Sequence, residues 1–146
     1  MHSIRYNSPY GKMLGWQPDR QGHWRMARIL FVDDEALTLK LLSQAAEIIG
    51  HTPLTSNNVE SAMAMIVNEL PDLVILDLNI GGYQGTALAI QLRQQPTFAT
   101  LPIVMLSADP SLEAQERALQ AGADRYLTKP VRLNILLEVI RDYTGQ

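Results

Sequence analysis

Polar side chains that could do chemistry stand directly after apolar segments of this sequence. They are Asp33, Asp34, Glu35, Asp77, Ser107 and Lys129. Carboxylates that are brought together repel one another and are costly to bury, unless Lys129 or a bound cation offsets their charge. Because the sequence has no cysteine, and no histidine at these positions, the pattern favours an all-oxygen site for Mg²⁺. A carboxylate, a Mg²⁺ site, a hydroxyl and a lysine together indicate a phosphoryl-transfer centre.

The elements that must position these residues alternate along the chain. Short apolar runs predict strands at 29–32, 51–56, 73–76, 103–106 and 125–128, and helices are predicted at 36–49, 59–70, 86–95, 111–121 and 132–143. Asn57 or Asn58 can cap the second helix. Five strand–helix units predict a parallel sheet with helices on both faces. Since ligands of such sheets bind beyond the carboxyl ends of the strands, we expect the polar residues to gather there.

Composition limits the classes of protein that fit. A chain of 146 residues favours one domain, and 47% hydrophobic with 18% charged residues is the profile of a soluble globular protein. No apolar run approaches the ~20 residues of a membrane-spanning helix and no signal peptide is visible, so we expect a cytoplasmic protein that does not bind membranes. Residues 29–146 hold 7 of the 12 basic and 14 of the 15 acidic residues, a net charge of −7. Such an acidic region is a poor candidate for direct binding to nucleic acid.

The first 27 residues differ in character from the rest. Residues 1–25 show no helical or strand period and contain five glycine and proline residues. We therefore predict an N-terminal extension, 1–27, with no fold of its own, followed by a domain at 28–146. Both tryptophans, Trp16 and Trp24, lie in the extension. The extension therefore has two possible interpretations, a docking arm or an appendage without a role, and we favour the second.

Four motifs resemble the receiver domain of bacterial two-component response regulators, the CheY-like family. They are FVDDE, LVILDLNIGGYQG around Asp77, VMLSAD around Ser107 and GADRYLTKPV around Lys129. Gly85 lies eight residues after Asp77, Ser107 thirty after it, and Lys129 twenty-two after Ser107, as in the family pattern. The resemblance runs from Arg28 to the C-terminus. It implies a flavodoxin-like (CheY-like) α/β three-layer sandwich, with a five-stranded parallel sheet of order 2-1-3-4-5 and helices on both faces.

The resemblance implies roles for individual residues. Asp77 would be the phosphoacceptor, which attacks a phosphohistidine of a sensor histidine kinase or of a phosphotransfer protein. The implied groups around Mg²⁺ are Asp34, Asp77, the backbone carbonyl of Asn79, and Asp33 through a metal-bound water. Lys129 would pair with the phosphoryl group and Ser107 would donate a hydrogen bond to it. The Lys129–Pro130 peptide bond is expected to be cis.

The same resemblance implies how phosphorylation is read out. The Ser107 hydroxyl moves towards the phosphoryl group, and the ring of Tyr126 on the fifth strand turns into the space that is freed. Asn79 and Asp109 would tune the lifetime of the acyl phosphate. The surface of the fourth helix, fifth strand and fifth helix would contact a downstream protein partner or a second copy of the chain. We expect a stand-alone response regulator that loses its phosphate spontaneously, not an enzyme that turns over a separate substrate.

Departures from the family pattern leave an alternative open. Gly81 stands where the family usually has proline, and Gly82 follows it, which predicts a more mobile loop and weaker metal binding. A receiver-like scaffold that is never phosphorylated fits that loop. A flavin carrier is disfavoured because the acids after the first strand would repel the flavin phosphate. A phosphohydrolase of the aspartyl type is disfavoured because it needs its second acid two residues after the first. Asp33 and Asp34 could instead cap a helix, and His51 is expected to be solvated.

Overall fold

The computed structural model describes residues 16–18 and 24–144. The strands of its central sheet are β1 (Arg28–Val32), β2 (Thr52–Ser56), β3 (Leu73–Asp77), β4 (Ile103–Ser107) and β5 (Arg125–Thr128). The helices are α1 (Ala36–Ile48), α2 (Val59–Glu69), α3 (Gly85–Arg93), α4 (Leu112–Gln120) and α5 (Leu133–Thr144). All strand pairs of the sheet are parallel, in the order β2-β1-β3-β4-β5. The predicted fold class and strand order are confirmed.

The central strands are buried on both faces, which explains why they read as uninterrupted apolar runs. Every residue of β3 and β4 is buried. On one face, Leu30 and Val32 pack with side chains from α2, α3 and α4. On the other face, Ile29 and Phe31 pack with side chains from α1 and α5. These two cores fix the strands relative to one another, so their carboxyl ends meet at one edge of the sheet.

Side-chain caps determine where two helices begin. Asn58 Oδ1 accepts a hydrogen bond from the Ser61 amide at 2.7 Å, and Ser111 Oγ accepts one from the Ala114 amide at 3.1 Å. Of the two asparagines that the sequence offers, Asn58 is therefore the cap of α2. The predicted helix bounds differ from the observed ones by at most two residues.

Two short strands lie in the segment for which the sequence predicts no fold. Residues 16–18 and 24–26 pair as an antiparallel ribbon, with Trp16 opposite Met26 and Pro18 opposite Trp24. Strands of three residues are too short to show a hydrophobic period, which is why the sequence gives no sign of them. Within the described part of the chain, no helix is long and apolar enough to cross a membrane.

His51 lies inside the protein, so the expectation that it is solvated was wrong. The residue is only 2% exposed, and neither ring nitrogen has a hydrogen-bond partner. The backbone explains the burial, because the His51 amide donates to Ala46 at the end of α1 and the Thr52 amide donates to Ala27. These bonds hold the residue tightly between α1 and the amino end of β2.

Candidate functional site

The parallel register of the sheet brings the predicted site residues to one edge. β1 and β3 pair Val32 with Leu76, so Asp33 and Asp77 occupy equivalent places at their ends. β4 and β5 pair Ser107 with Thr128, which places Lys129 just beyond the same edge. The Lys129–Pro130 peptide bond, which joins β5 to the segment before α5, is cis as predicted.

Three carboxylates converge at this edge. Asp33, Asp34 and Asp77 each place one oxygen within 4.8 Å of the others. Asp33 and Asp77 are buried, whereas Asp34 is exposed. The residue that caps α1 is Glu35, and it makes no side-chain cap bond. Helix capping therefore does not explain the two aspartates, although Asp33 Oδ1 accepts a hydrogen bond from the Glu35 amide at 2.9 Å.

Lys129 supplies positive charge to two of these acids. Its Nζ lies 2.7 Å from Asp33 Oδ2 and 3.2 Å from Asp77 Oδ2. Burial disfavours the charged ammonium, but the hydrogen bonds and the attraction of both carboxylates outweigh it and raise the pKa of Lys129. Lys129 is therefore a permanent cation in the pocket at neutral pH.

Asp77 carries a charge that its surroundings only partly stabilise. Burial raises the pKa of Asp77, and the negative charge of Asp33 acts in the same direction. The hydrogen bond from the Asn79 amide to Asp77 Oδ1, 3.2 Å long, and the charge of Lys129 act against this rise without cancelling it. One lysine therefore does not fully offset the carboxylates, and a bound cation would stabilise them further.

The donor set fits a hard cation such as Mg²⁺. Three carboxylates offer oxygen atoms, with no histidine or cysteine among the grouped residues. Mg²⁺ prefers oxygen ligands, is often held by one or two carboxylates, and keeps several waters, for which the exposed side of Asp34 leaves room. Asn79 follows Asp77 by two residues and is exposed.

The predicted switch residues meet at Asp109. The Asp109 amide donates to the buried Ser107 Oγ at 3.1 Å, and the Tyr126 hydroxyl donates to the Asp109 carbonyl. The carboxylate of Asp109 accepts a hydrogen bond from the Ser111 amide, and the Ser111 bonds lower the pKa of Asp109. The segment from β4 to α4 is thus tied both to Ser107 and to the aromatic ring on β5.

The Gly-rich loop after Asp77 is a β-hairpin, which the sequence interpretation missed. Asn79–Ile80 pairs with Tyr83–Gln84, and the glycines form its two-residue turn. Paired glycines between two short extended segments are a known hairpin signal and could have indicated it. The hairpin also brings the Gly81 amide to 3.1 Å from Asp34 Oδ2.

The sequence analysis also did not explain why a glycine, Gly85, lies next to the site. A Cβ atom at this position would lie 2.4 Å from the backbone oxygen of Asp77. The first residue of α3 therefore packs directly against the peptide group of Asp77, and any side chain here would push the two apart.

Fold and pocket together define an oxygen-rich acidic site at the carboxyl edge of a flavodoxin-like sheet. The sequence matches the family of the response regulator receiver domain over residues 29–141, and the chain belongs to that family. Mg²⁺ binding at an acidic pocket and contact with histidine kinases or phosphotransfer proteins are general properties of such domains.

Similar proteins come from several bacteria. The phosphate regulon transcriptional regulatory protein PhoB of Pseudomonas aeruginosa is 38% identical over 70% of this chain and 44% of its own length. The sensory/regulatory protein RpfC of Xanthomonas campestris is 36% identical over 81% of this chain and 16% of its own length. The chain thus spans less than half the length of these curated relatives.

Solved structures agree with the fold. A putative response regulator from Chloroflexus aurantiacus has a TM-score of 0.79 and 30% identity, covering 84% of this chain and all of the other. The chemotaxis protein CheY4 of Vibrio cholerae has a TM-score of 0.77 and 26% identity, covering 82% of this chain and 99% of the other.

Proposed function

We propose that this protein accepts a phosphoryl group on Asp77 from a sensor histidine kinase or a phosphotransfer protein, in a reaction that requires Mg²⁺. The observation that carries the proposal is the convergence of three carboxylates within 4.8 Å, with the Lys129 ammonium 3.2 Å from Asp77. A carboxylate held beside a lysine and an oxygen-rich cation site is the arrangement that phosphoryl transfer needs, because the chemistry depends on position and charge.

The residues of the pocket have distinct tasks in this proposal. A carboxylate oxygen of Asp77 attacks the phosphorus, and the bond from phosphorus to the donor histidine nitrogen breaks. The electron pair of that bond leaves with the imidazole. Lys129 balances the negative charge that the phosphoryl group brings next to Asp33, and the Ser107 hydroxyl donates a hydrogen bond to a phosphoryl oxygen.

Mg²⁺ has a defined place in the proposal. The groups that would hold it are Asp34, Asp77, the backbone carbonyl of Asn79, and Asp33 through a bound water. When bound, Mg²⁺ supplies positive charge to the phosphoryl oxygens. Burial first, and then the negative charge of Asp33, raise the pKa of Asp77 despite Lys129, so further positive charge beside it would favour the charged form that attacks phosphorus.

The signal would leave the pocket through the segment between β4 and α4. Hydrogen bonds at Asp109 connect Ser107 with Tyr126. A movement of the Ser107 hydroxyl towards the phosphoryl group would therefore shift the position of the Tyr126 ring. Asn79 and Asp109 are placed to tune the lifetime of the acyl phosphate. The face of α4, β5 and α5 is the proposed contact surface for a downstream protein or for a second copy of the chain.

Other parts of the sequence-based hypothesis stay predictions. They are the stand-alone arrangement, the cytoplasmic location, the absence of turnover on a separate substrate, and the domain boundary at residue 28. The relatives that the chain matches are longer than it is. The output and partners of the complete protein are therefore proposals as well.

The decisive experiment is incubation with acetyl phosphate and Mg²⁺, followed by intact mass measurement. We expect a single phosphoryl adduct on the wild type and none on Asp77→Asn. The wild type with EDTA in place of Mg²⁺ serves as the control and should stay unmodified. A phosphoryl adduct on Asp77→Asn would show that Asp77 is not the phosphoacceptor. A wild type that never gains an adduct from acetyl phosphate or from a kinase favours the scaffold alternative.

A further inference from the structure

The hairpin after Asp77 reaches the carboxylate pocket with its turn. Gly81 and Gly82 form the two-residue turn, with φ of +53° and +88°. Positive φ at both positions is the pattern of the type I′ turn, whose twist suits a tight hairpin. A Cβ atom at either glycine would meet nothing within 4 Å, so the glycines are needed for backbone conformation and not for space.

Both ends of the hairpin are anchored to the body of the protein. Ile80 is 1% exposed and belongs to the core between the sheet and α2, α3 and α4. At the other end, Gly85 packs against the backbone oxygen of Asp77. The turn between these anchors therefore lies beside the site.

The turn contacts the one acid of the pocket that Lys129 does not bind. Lys129 donates to Asp33 and Asp77, whereas the hydrogen bond found on the Asp34 carboxylate among the described residues comes from the Gly81 amide. Asp34 is exposed, and repulsion from its two neighbours favours a side chain turned away into water. The Gly81 amide opposes that movement.

We propose that Gly81 is a positioning residue, whose backbone N–H holds the Asp34 carboxylate towards Asp33 and Asp77 so that the three acids are assembled before Mg²⁺ binds. The inference rests on the proposed function, because it explains how an acid of the same cation site is positioned. A carboxylate has about four acceptor positions, so one hydrogen bond to Oδ2 leaves room for a cation. Glycine suits this position because it adopts the φ of +53° that the turn needs without strain. Proline, the residue that the family usually has at this position, would lack the N–H.

Calorimetric titration of Mg²⁺ in the absence of any phosphodonor tests the proposal. Gly81→Pro removes the donor and cannot adopt a positive φ, and we expect Mg²⁺ affinity to fall about tenfold. Gly81→Asn is the matched control. Asparagine tolerates positive φ, and Asn-Gly is a favoured type I′ pair, so affinity should stay within about twofold of the wild type. Wild-type affinity in Gly81→Pro would overturn the proposal.

A second measurement remains informative even if Gly81→Pro does not fold. Asp34→Ala should speed hydrogen exchange of the Gly81 amide in Mg²⁺-free protein, because the amide loses its acceptor. Glu35→Ala, which alters the adjacent acid, should leave that exchange unchanged. Unchanged exchange in Asp34→Ala contradicts the proposal. If Mg²⁺ affinity and exchange follow these expectations while acetyl phosphate never labels Asp77, the proposed function fails and the positioning role stands.

Discussion

At the residue scale, the pocket combines three acids with one lysine. Asp77 is buried beside Asp33, and burial raises the pKa of Asp77. A group whose charged form is disfavoured in the folded protein lowers the stability of that protein at neutral pH. The charge of Asp77 therefore lowers the stability of the folded protein at neutral pH.

This cost leads to a prediction for Asp77→Asn. The variant keeps the side-chain oxygen that accepts from the Asn79 amide and removes the charge. We expect the free energy of unfolding, measured with urea at pH 7.5 in EDTA, to rise by about 1 kcal/mol, because the variant removes a carboxylate whose charged form is disfavoured in the folded protein. Added Mg²⁺ should stabilise the wild type and have much less effect on the variant, because ligand binding stabilises only where the site is intact.

A surface acid provides the matched control for that measurement. Asp142 Oδ2 lies 3.0 Å from Arg125 Nη1, and its side chain is 52% exposed. Neutralising such an exposed pair changes stability by less than about 1 kcal/mol, so Asp142→Asn should not become more stable. A loss of stability in Asp77→Asn would show that the pocket favours the charged form of this residue.

At the element scale, the first residue of α3, Gly85, packs closely against the backbone of Asp77 at the end of β3. Gly85→Ala would place a methyl group 2.4 Å from the Asp77 backbone oxygen, an atom that cannot move without moving β3. We expect a loss of about 1–3 kcal/mol in unfolding free energy, typical of overpacking, with slower labelling by acetyl phosphate. Urea unfolding and intact mass would measure the two effects.

The control for Gly85→Ala is a glycine that has space around it. A side chain at Gly82 would meet no atom within 4 Å, and only its positive φ is demanding. Gly82→Asn should therefore cost less than Gly85→Ala, because asparagine tolerates that conformation. Equal losses in the two variants would contradict the idea that the close approach to Asp77 makes glycine necessary at position 85.

At the scale of the whole molecule, the two edges of the sheet carry different ionisable groups. The carboxyl edge holds the acidic pocket, and the amino edge holds His51 and Asp72 directly before β2 and β3. The Arg28 amide donates to Asp72 Oδ2 at 2.7 Å. Burial lowers the pKa of His51 below its ordinary value of 6.5, and the negative charge of Asp72 opposes this change. The folded protein therefore favours the neutral form of His51 more than the unfolded chain does.

The lowered pKa of His51 predicts a pH dependence of stability. As the pH falls below about 7, the unfolded chain protonates His51 before the folded protein does, so the unfolding free energy decreases. Unfolding in urea at pH 5.5 and 7.5 should show this decrease in the wild type. His51→Leu should show a smaller one and keep its Mg²⁺ affinity. An identical pH dependence in the two proteins would contradict the burial of a neutral imidazole.

Much of the site was predictable because each of its residues is placed by the strand that directly precedes it in the sequence. Each polar residue follows an apolar run, and parallel strands end at the same edge of a sheet. That is why Asp33, Asp77 and Lys129 could be grouped from the sequence and are found in contact. The hairpin at 79–84 was also readable in principle from its paired glycines, but we expected an irregular loop there.

Other features depend on packing between distant segments. The Gly81 amide reaches Asp34 across 47 residues of sequence, and His51 is covered only when α1 and β2 are in place. No residue type or spacing encodes such contacts, because they form between surfaces that the folded chain brings together. The sequence by itself determined the succession of strands and helices along the chain and the gathering of the acids at one edge of the sheet, since hydrophobic period and strand polarity suffice for that. The order of the strands within the sheet came from the resemblance to the receiver family. Only the tertiary structure decided which backbone amide holds Asp34, because that distance is set by the cores on both faces of the sheet.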